Sequence, residues 1–329
     1  MTTTSTSSRL RVENYLDEGY FDRALRSDVL AGLQKTPKRL PPKWFYDDRG
    51  SELFEQITRL TEYYPTEAER SILSARANDI ALASGADTLV ELGSGAADKT
   101  RVLLDGLSST GQLRGFVPFD VSEGILRSSS VALLDEYADL VIDGVVGDFE
   151  HHLGKIPREG KQLIALLGGT VGNFYPEHRK QFLTEVVEGM KPGDTFLLGT
   201  DLVKDVDRLE LAYNDPQGIT AEFNKNVLAV LNDRVDANFD MDAFEHLATF
   251  DTTNEWIDIR LRSLVDQDVR VEGLDLDISF TEGEELETEI SSKFRKERVE
   301  EIVAEVGLEL IEWWTDERGD YALSLSRFA

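Results

Sequence analysis

The residues best suited to chemistry begin in the stretch Asp87–Thr100, DTLVELGSGAADKT, where an apolar run ends in Glu91-Leu92 and turns through Gly93-Ser94-Gly95. Between a strand and a helix, such a Gly-x-Gly turn removes the Cβ atoms that would keep a ligand away from the strand's carboxyl end. Ala96 and Ala97 stand where the dinucleotide fingerprint has its third glycine, which argues against a pyrophosphate ligand. The next strand-like run, FVPFD, ends in Asp120, where a carboxylate can accept both ribose hydroxyls. A third run ends in Asp148-Phe149, which offers an acceptor for an adenine amino group and a ring to lie against the base. Singly, each aspartate reads as readily as a solvated strand-end residue. Three consecutive strand ends of this composition favour an adenosine-bearing cofactor. Lys99, in the first turn of the following helix, is either a surface lysine or the partner of a cofactor carboxylate.

A second group of residues suits a small polar substrate. In LLGGTVGNFYP, Gly168, Gly169 and Gly172 let backbone approach a ligand, and the Asn173 amide can bind a carboxylate or an amine; a glycine-rich turn with a helix cap is the alternative. Trp44, Phe45, Tyr46 and Phe54 form one aromatic cluster, Tyr63 and Tyr64 another. Most of these rings are expected in a core, yet one or two tyrosines facing a cleft would suit a cationic amine. In EELETEISSKF, strand alternation sends Glu287, Glu289 and Ser291 to one face and Leu286, Thr288 and Ile290 to the other. Glu289 and Ser291 then offer a carboxylate acceptor and a hydroxyl to a ring with two nitrogens, unless that face is merely solvated. His151, His152, His178 and His246 lack metal-ligand spacing, so no metal site is expected. Nucleophile-elbow and phosphate-loop motifs are missing too, and the sequence contains no cysteine.

The elements that must position these groups follow a βα alternation from about residue 66. TEAERSILSARANDIALAS reads as a helix, with Thr66 and Glu69 as a capping box. TLVEL, GFVPFD, VIDGVVGDF, QLIALLGG and DTFLLGTDL are near-continuous apolar strands separated by helical patterns, which predicts a parallel sheet covered on both faces. NEWIDIRLRS, QDVRVEGLDLDISF and EELETEISSKF alternate instead, as half-buried antiparallel strands do. LELIEWW and DYALSLSRF, joined by TDERGD, predict a closing antiparallel hairpin. The expected fold class is therefore α/β: a class I methyltransferase (Rossmann-like) sheet with a reversed C-terminal strand, plus a second α+β substrate-binding domain. The expected division is a disordered leader at 1–9, a substrate domain of 10–65 and 206–293, and a cofactor domain of 66–205 and 294–329.

At 329 residues, 41% hydrophobic and 30% charged, the chain has the composition of a globular protein. Its net charge of −28 argues against a nucleic-acid backbone as partner. The leader MTTTSTSSRL lacks the apolar core of a signal peptide, no apolar run reaches bilayer length, and a cytoplasmic monomer without membrane contact is expected.

Together, PPKWFYDDRGSELFEQITRLTEYYPTEAE, VELGSG, GDFEHHL, GGTVGN, LLGTDLVKD, EFNKNVLAVLN and WWTDERGDYALSL resemble the histidine-specific Nα-methyltransferases of ergothioneine biosynthesis, from about Tyr15 to the C-terminus. The resemblance implies trimethylation of the α-amino group of L-histidine to hercynine, with S-adenosyl-L-methionine as methyl donor. It also implies that Gly93, Lys99, Asp120, Asp148 and Phe149 bind the cofactor. Tyr63, Asn173 and Tyr213 would hold the amino acid's backbone end, Glu289 and Ser291 its imidazole, and Tyr46 would line the pocket near the amine. Tyr46 and Tyr63 are the expected catalytic contributors. Ile259 stands where the family carries a methionine against the substrate ring, which leaves ring selectivity open. The competing readings are methylation of another aromatic amino acid such as tryptophan, a NAD-dependent dehydrogenase, and a catalytically silent amino-acid-binding protein.

Overall fold

The computed structural model describes residues 9–95 and 97–329. Its strands are β1 (Leu10–Asn14), β2 (Lys38–Arg39), β3 (Thr88–Leu92), β4 (Gly115–Asp120), β5 (Val141–Val146), β6 (Gln162–Leu166) and β7 (Thr195–Asp201). They continue with β8 (Phe244–Asp251), β9 (Trp256–Ser263), β10 (Gln267–Val271), β11 (Leu276–Phe280), β12 (Glu285–Ser292), β13 (Leu308–Thr315) and β14 (Tyr321–Phe328). The chain separates into two compact units, the first comprising residues 9–17, Pro65–Leu202 and Phe294–Ala329, the second Glu18–Tyr64 and Val203–Lys293.

The first unit is built on an eight-stranded sheet in the order β1-β5-β4-β3-β6-β7-β14-β13. The pairings from β1 to β7 are all parallel. β14 lies between β7 and β13 and runs antiparallel to both, so it is the reversed strand. Every residue of β3, β6 and β7 is buried, as apolar runs covered on both faces require. One covering layer packs Leu73, Ile80, Leu103 and Leu104 against Leu89, Phe116 and Leu197. The other packs Phe182, Leu183, Val299 and Val303 against Val90, Phe119 and Leu198. This is the Rossmann-like sheet with a reversed strand expected from the sequence.

Three local expectations differ. Residues 10–14, expected in the arm of the second domain, add β1 to the sheet beside β5. The alternating LRVEN suits an edge strand there, and Val12 packs where Gly144 leaves room. Arg9, expected in the loose leader, donates from its guanidinium to the carbonyls of Leu134 and Tyr137; residues 1–8 lie outside the described residues, as does Ala96. The helix Pro65–Ser84 begins before Thr66, and Glu69 is fully buried with partners on other elements, so there is no capping box.

The second unit carries a four-stranded sheet, β2-β12-β9-β8, and a separate β10-β11 hairpin. β12 and β9 pair antiparallel with a bulge between Glu287 and Glu289, which places Ile259 opposite Glu289. The helices Asp48–Ile57 and Ile219–Arg234 supply Leu53, Val227, Leu228 and Leu231 to a core shared with Phe244, Leu261 and Leu286. The Asp47 side chain accepts from the Gly50 amide at 2.7 Å and caps the first of these helices.

Candidate functional site

In the first unit, the carboxyl ends of β3, β4, β5 and β6 carry the residues expected around a cofactor. Gly93 has φ +77° and Gly95 φ +49°, left-handed values that favour glycine. A Cβ at Gly93 would stand 3.5 Å from Phe149 Cζ, whereas one at Gly95 would meet nothing within 4 Å. A Cβ at Gly93 would thus touch Phe149 in ordinary contact, while the space beside Gly95 is open. Phe149 stacks on Phe119 with centroids 5.4 Å apart and meets Phe182 edge-on. Asp120 accepts the Gly95 amide at 2.9 Å on one oxygen and the Ser122 amide at 2.9 Å on the other. Asp148 is buried and accepts the Glu150 amide at 2.8 Å. The two aspartates are thus held at successive strand ends, where a carboxylate can accept from a ligand. Ser94 Oγ is buried with no hydrogen-bond partner among the described residues, in the turn where Gly95 opens space. A polar ligand against this turn would satisfy that hydroxyl, and on this ground the residues present fit an adenosine cofactor.

Behind the turn, Lys99 pairs with the buried carboxylate of Glu69. Glu69 also accepts the Gly168 amide at 2.8 Å and the Tyr321 hydroxyl at 2.9 Å, so it ties two helices, the loop after β6 and the reversed strand together. Gly199 in β7 makes room for this: a Cβ there would stand 2.4 Å from Glu69 Oε1 and 2.7 Å from Tyr321 Oη. Glu91 is buried at the end of β3; desolvation pushes its carboxyl up to about 7, opposed by the hydrogen bond from Thr100. Asn173 closes the 3-10 turn Thr170–Asn173 after β6, half-buried.

The second unit gathers the remaining expected residues. Tyr63 and Tyr213 meet edge-to-face at 6.1 Å, and Tyr46 packs edge-on against Phe54 and Phe223 at 5.5 and 5.3 Å. Tyr46 as a residue is 46% exposed, yet desolvation of its titrating oxygen holds the phenol's pKa well above the ordinary value. Glu289, Tyr63 and Tyr213 raise it further, so these four groups share one environment. Desolvation also pushes the Glu289 carboxyl up to about 7, and the charge of Lys293 opposes it. Tyr213 Oη and Ser291 Oγ lie 2.8 Å apart, and Lys293 Nζ donates to both, at 2.9 and 2.8 Å. The expectation of a merely solvated face on β12 is set aside by these contacts: Ser291 and Lys293 are buried at 8% and 3% exposure.

Lys293 was not among the expected residues, although it continues the alternation of Glu289 and Ser291 by one step, a signal present in the sequence. His246, one of the four histidines without metal-ligand spacing, packs inside the second unit: Asn224 Nδ2, which can only donate, faces its Nδ1 at 2.9 Å, so Nε2 carries the hydrogen and donates to the Tyr213 carbonyl at 2.8 Å. Burial lowers its pKa and keeps the ring neutral. No local pattern announces that contact, since 33 residues separate the two partners.

A family model described as histidine-specific methyltransferase, SAM-dependent, matches residues 25–328. The chain is similar to the Histidine N-alpha-methyltransferase of Mycobacterium tuberculosis, 55% identical over 318 residues that cover 97% of this chain and 99% of that protein. It is 31% identical to the Ergothioneine biosynthesis protein 1 of Neurospora crassa, over 89% of this chain and 34% of that protein. To the L-tryptophan methyltransferase trpM of Psilocybe serbica it is 29% identical, over 91% of each chain.

Proposed function

The chain belongs to the histidine-specific, S-adenosylmethionine-dependent methyltransferase family, and on that footing we propose that it methylates the α-amino group of L-histidine three times, giving hercynine, the first step of ergothioneine biosynthesis. The observation that carries this reading is the 55% identity to a histidine Nα-methyltransferase along nearly the whole of both chains.

When bound, S-adenosylmethionine supplies an activated methyl group on a sulfonium centre. Gly93, Lys99, Asp120, Asp148 and Phe149 are the residues that would hold it, the aspartates as hydrogen-bond acceptors. The acceptor must be a neutral amine, and a free α-amino group titrates near ~8, so a strong base is not required. What the chain must do is orient that amine, and orientation alone can supply much of the rate. Tyr46, held protonated by its surroundings, acts near the amine as a hydrogen-bonding hydroxyl and a ring face, and Tyr63 acts likewise. Both suit an amine that gains methyl groups, and finally a quaternary cation with no N–H left. Asn173 and Tyr213 take the substrate carboxylate, and Glu289 and Ser291 the imidazole nitrogens. A carboxylate beside an apolar ring would be left unpaired, which discriminates by more than shape does. By this reading the second unit is the substrate-binding domain.

The test supplies each aromatic amino acid with S-adenosylmethionine and reads product masses. Histidine is expected to gain three methyl groups, 42 mass units in all by about 14 per methyl. Mass gain on tryptophan and none on histidine would overturn the assignment in favour of the tryptophan-type activity of the relative at 29% identity.

A further inference from the structure

The stretch EFNKNVLAVLN lies in the helix Ile219–Arg234, and the reading above gives its asparagines no task. Asn226 is only 5% exposed, on a helix face otherwise filled by Phe223, Val227, Val230 and Leu231. Asparagine is a poor residue for a helix interior, and its amide is costly to bury unbonded. We propose that Asn226 is a positioning residue for Tyr46: its amide clamps the backbone on either side of that tyrosine and so aims the side chain at the substrate amine. This rests on the histidine reading, in which Tyr46 lies near the amine, and deepens it.

The argument is a count of donors. Asn226 Nδ2 carries two hydrogens. One goes to the Phe45 carbonyl at 3.1 Å and the other to Asp47 Oδ1 at 2.7 Å. These are the residues immediately before and after Tyr46. Turning the amide over would set its oxygen against a carbonyl and a carboxylate, two acceptors, so chemistry fixes its orientation. Neither hydrogen is left for a ligand, and Asn226 therefore acts through the segment it holds. The clamp extends to the next helix. Asp47 Oδ1 also accepts the Gly50 amide at 2.7 Å. A Cβ at Gly50 would stand 1.7 Å from the Phe45 carbonyl oxygen and 3.0 Å from Asn226 Nδ2, so the backbone of the helix Asp48–Ile57 rests directly on the held segment. Tyr46 needs such support: as a residue it is 46% exposed, and a side chain so little enclosed takes its direction from the backbone that carries it.

The experiment compares Asn226→Ala, Tyr46→Ala and the double variant with the parent protein. It reads kcat and KM for L-histidine, with S-adenosylhomocysteine binding by calorimetry as the check on folding. Tyr46→Ala is expected to lower kcat by about 100-fold or more, and Asn226→Ala by about 30-fold, somewhat less than a misplacement of about 1 Å can cost. The histidine KM should change less than about 3-fold in Asn226→Ala, because the lost interaction belongs to the transfer step. In the Tyr46→Ala background the same substitution should lower kcat by less than about 3-fold, since the side chain it aims is gone. If Asn226→Ala fails to fold, Asn226→Ser, which keeps one donor, is read in the same cycle with a smaller expected loss. Equal losses of kcat in the two backgrounds, or a raised KM at constant kcat, would overturn the proposal and leave the histidine reading standing. A Tyr46→Ala variant as fast as the parent would remove the role given to Tyr46, and the proposal with it. A parent protein that transfers no methyl to histidine would sink the histidine reading itself, and the proposal falls with it before any variant is compared.

Discussion

The role proposed for Glu289 requires a charge in a place that disfavours charge. Its carboxyl is pushed from the ordinary range to about 7, first by desolvation. Because the folded-state pKa lies above the unfolded one, the buried charge costs nothing below the unfolded value near 4.5, an increasing amount between there and about 7, and a constant amount above. Glu289→Gln is therefore expected to raise the melting temperature by a few degrees at pH 8 and hardly at all at pH 4.5, in paired thermal melts. The same substitution should raise the histidine KM about 100-fold, as expected when a charged hydrogen-bond partner is removed from a buried site. A variant that gains stability at both pH values alike would show that desolvation of the carboxylate is not the cause. Much of this site was legible beforehand: alternation along EELETEISSKF brings Glu289 and Ser291 to one face, because a strand has a period of two. That Ile259 lies opposite Glu289 was not legible, since the bulge in β12 sets that register.

At the scale of elements, the glycine turn after β3 and the buried Glu69 do the positioning. Gly93→Val places a branched side chain at φ +77°, against Phe149, and is expected to weaken S-adenosylhomocysteine binding by at least ~10-fold in calorimetry. Glu69 joins the helix Pro65–Ser84 to Lys99, to the Gly168 amide and to Tyr321 of the reversed strand. Glu69→Ala would strand the ammonium and the phenol together and should cost about 3 kcal/mol in urea denaturation, against about 1 for Tyr321→Phe. Equal small losses would mean that the network is solvated rather than structural. The sequence suggested a helix cap for Glu69, and that failed for a plain reason: three of its partners lie 30, 99 and 252 residues away. Helix-end patterns describe local competition for backbone donors and carry no information about a loop that packs from elsewhere.

For the whole molecule, 63 acidic against 35 basic residues leave a net charge of −28, and like charges at the surface repel in the compact state. Raising sodium chloride from about 20 mM to about 0.5 M shortens the screening length several-fold and is expected to raise the melting temperature; a flat or falling curve would show that the exposed ion pairs outweigh the repulsion. Sequence alone determined the doubly wound sheet and its reversed strand, because strands buried on both faces must be apolar throughout and a short turn can only join antiparallel neighbours. It also favoured an adenosine-bearing cofactor, since Gly-x-Gly, Asp and Asp-Phe at successive strand ends are local facts, while the resemblance carried by the longer motifs implied methyl transfer. Tertiary structure alone decided that Leu10–Asn14 completes the large sheet, that Glu69 is the hub behind Lys99, and that Lys293 and His246 stand behind Ser291 and Tyr213. Each of these is a contact between residues whose types are ordinary and whose meaning comes from burial. In a dry interior an unpaired donor or charge is costly, so partners are found wherever the folded chain brings them.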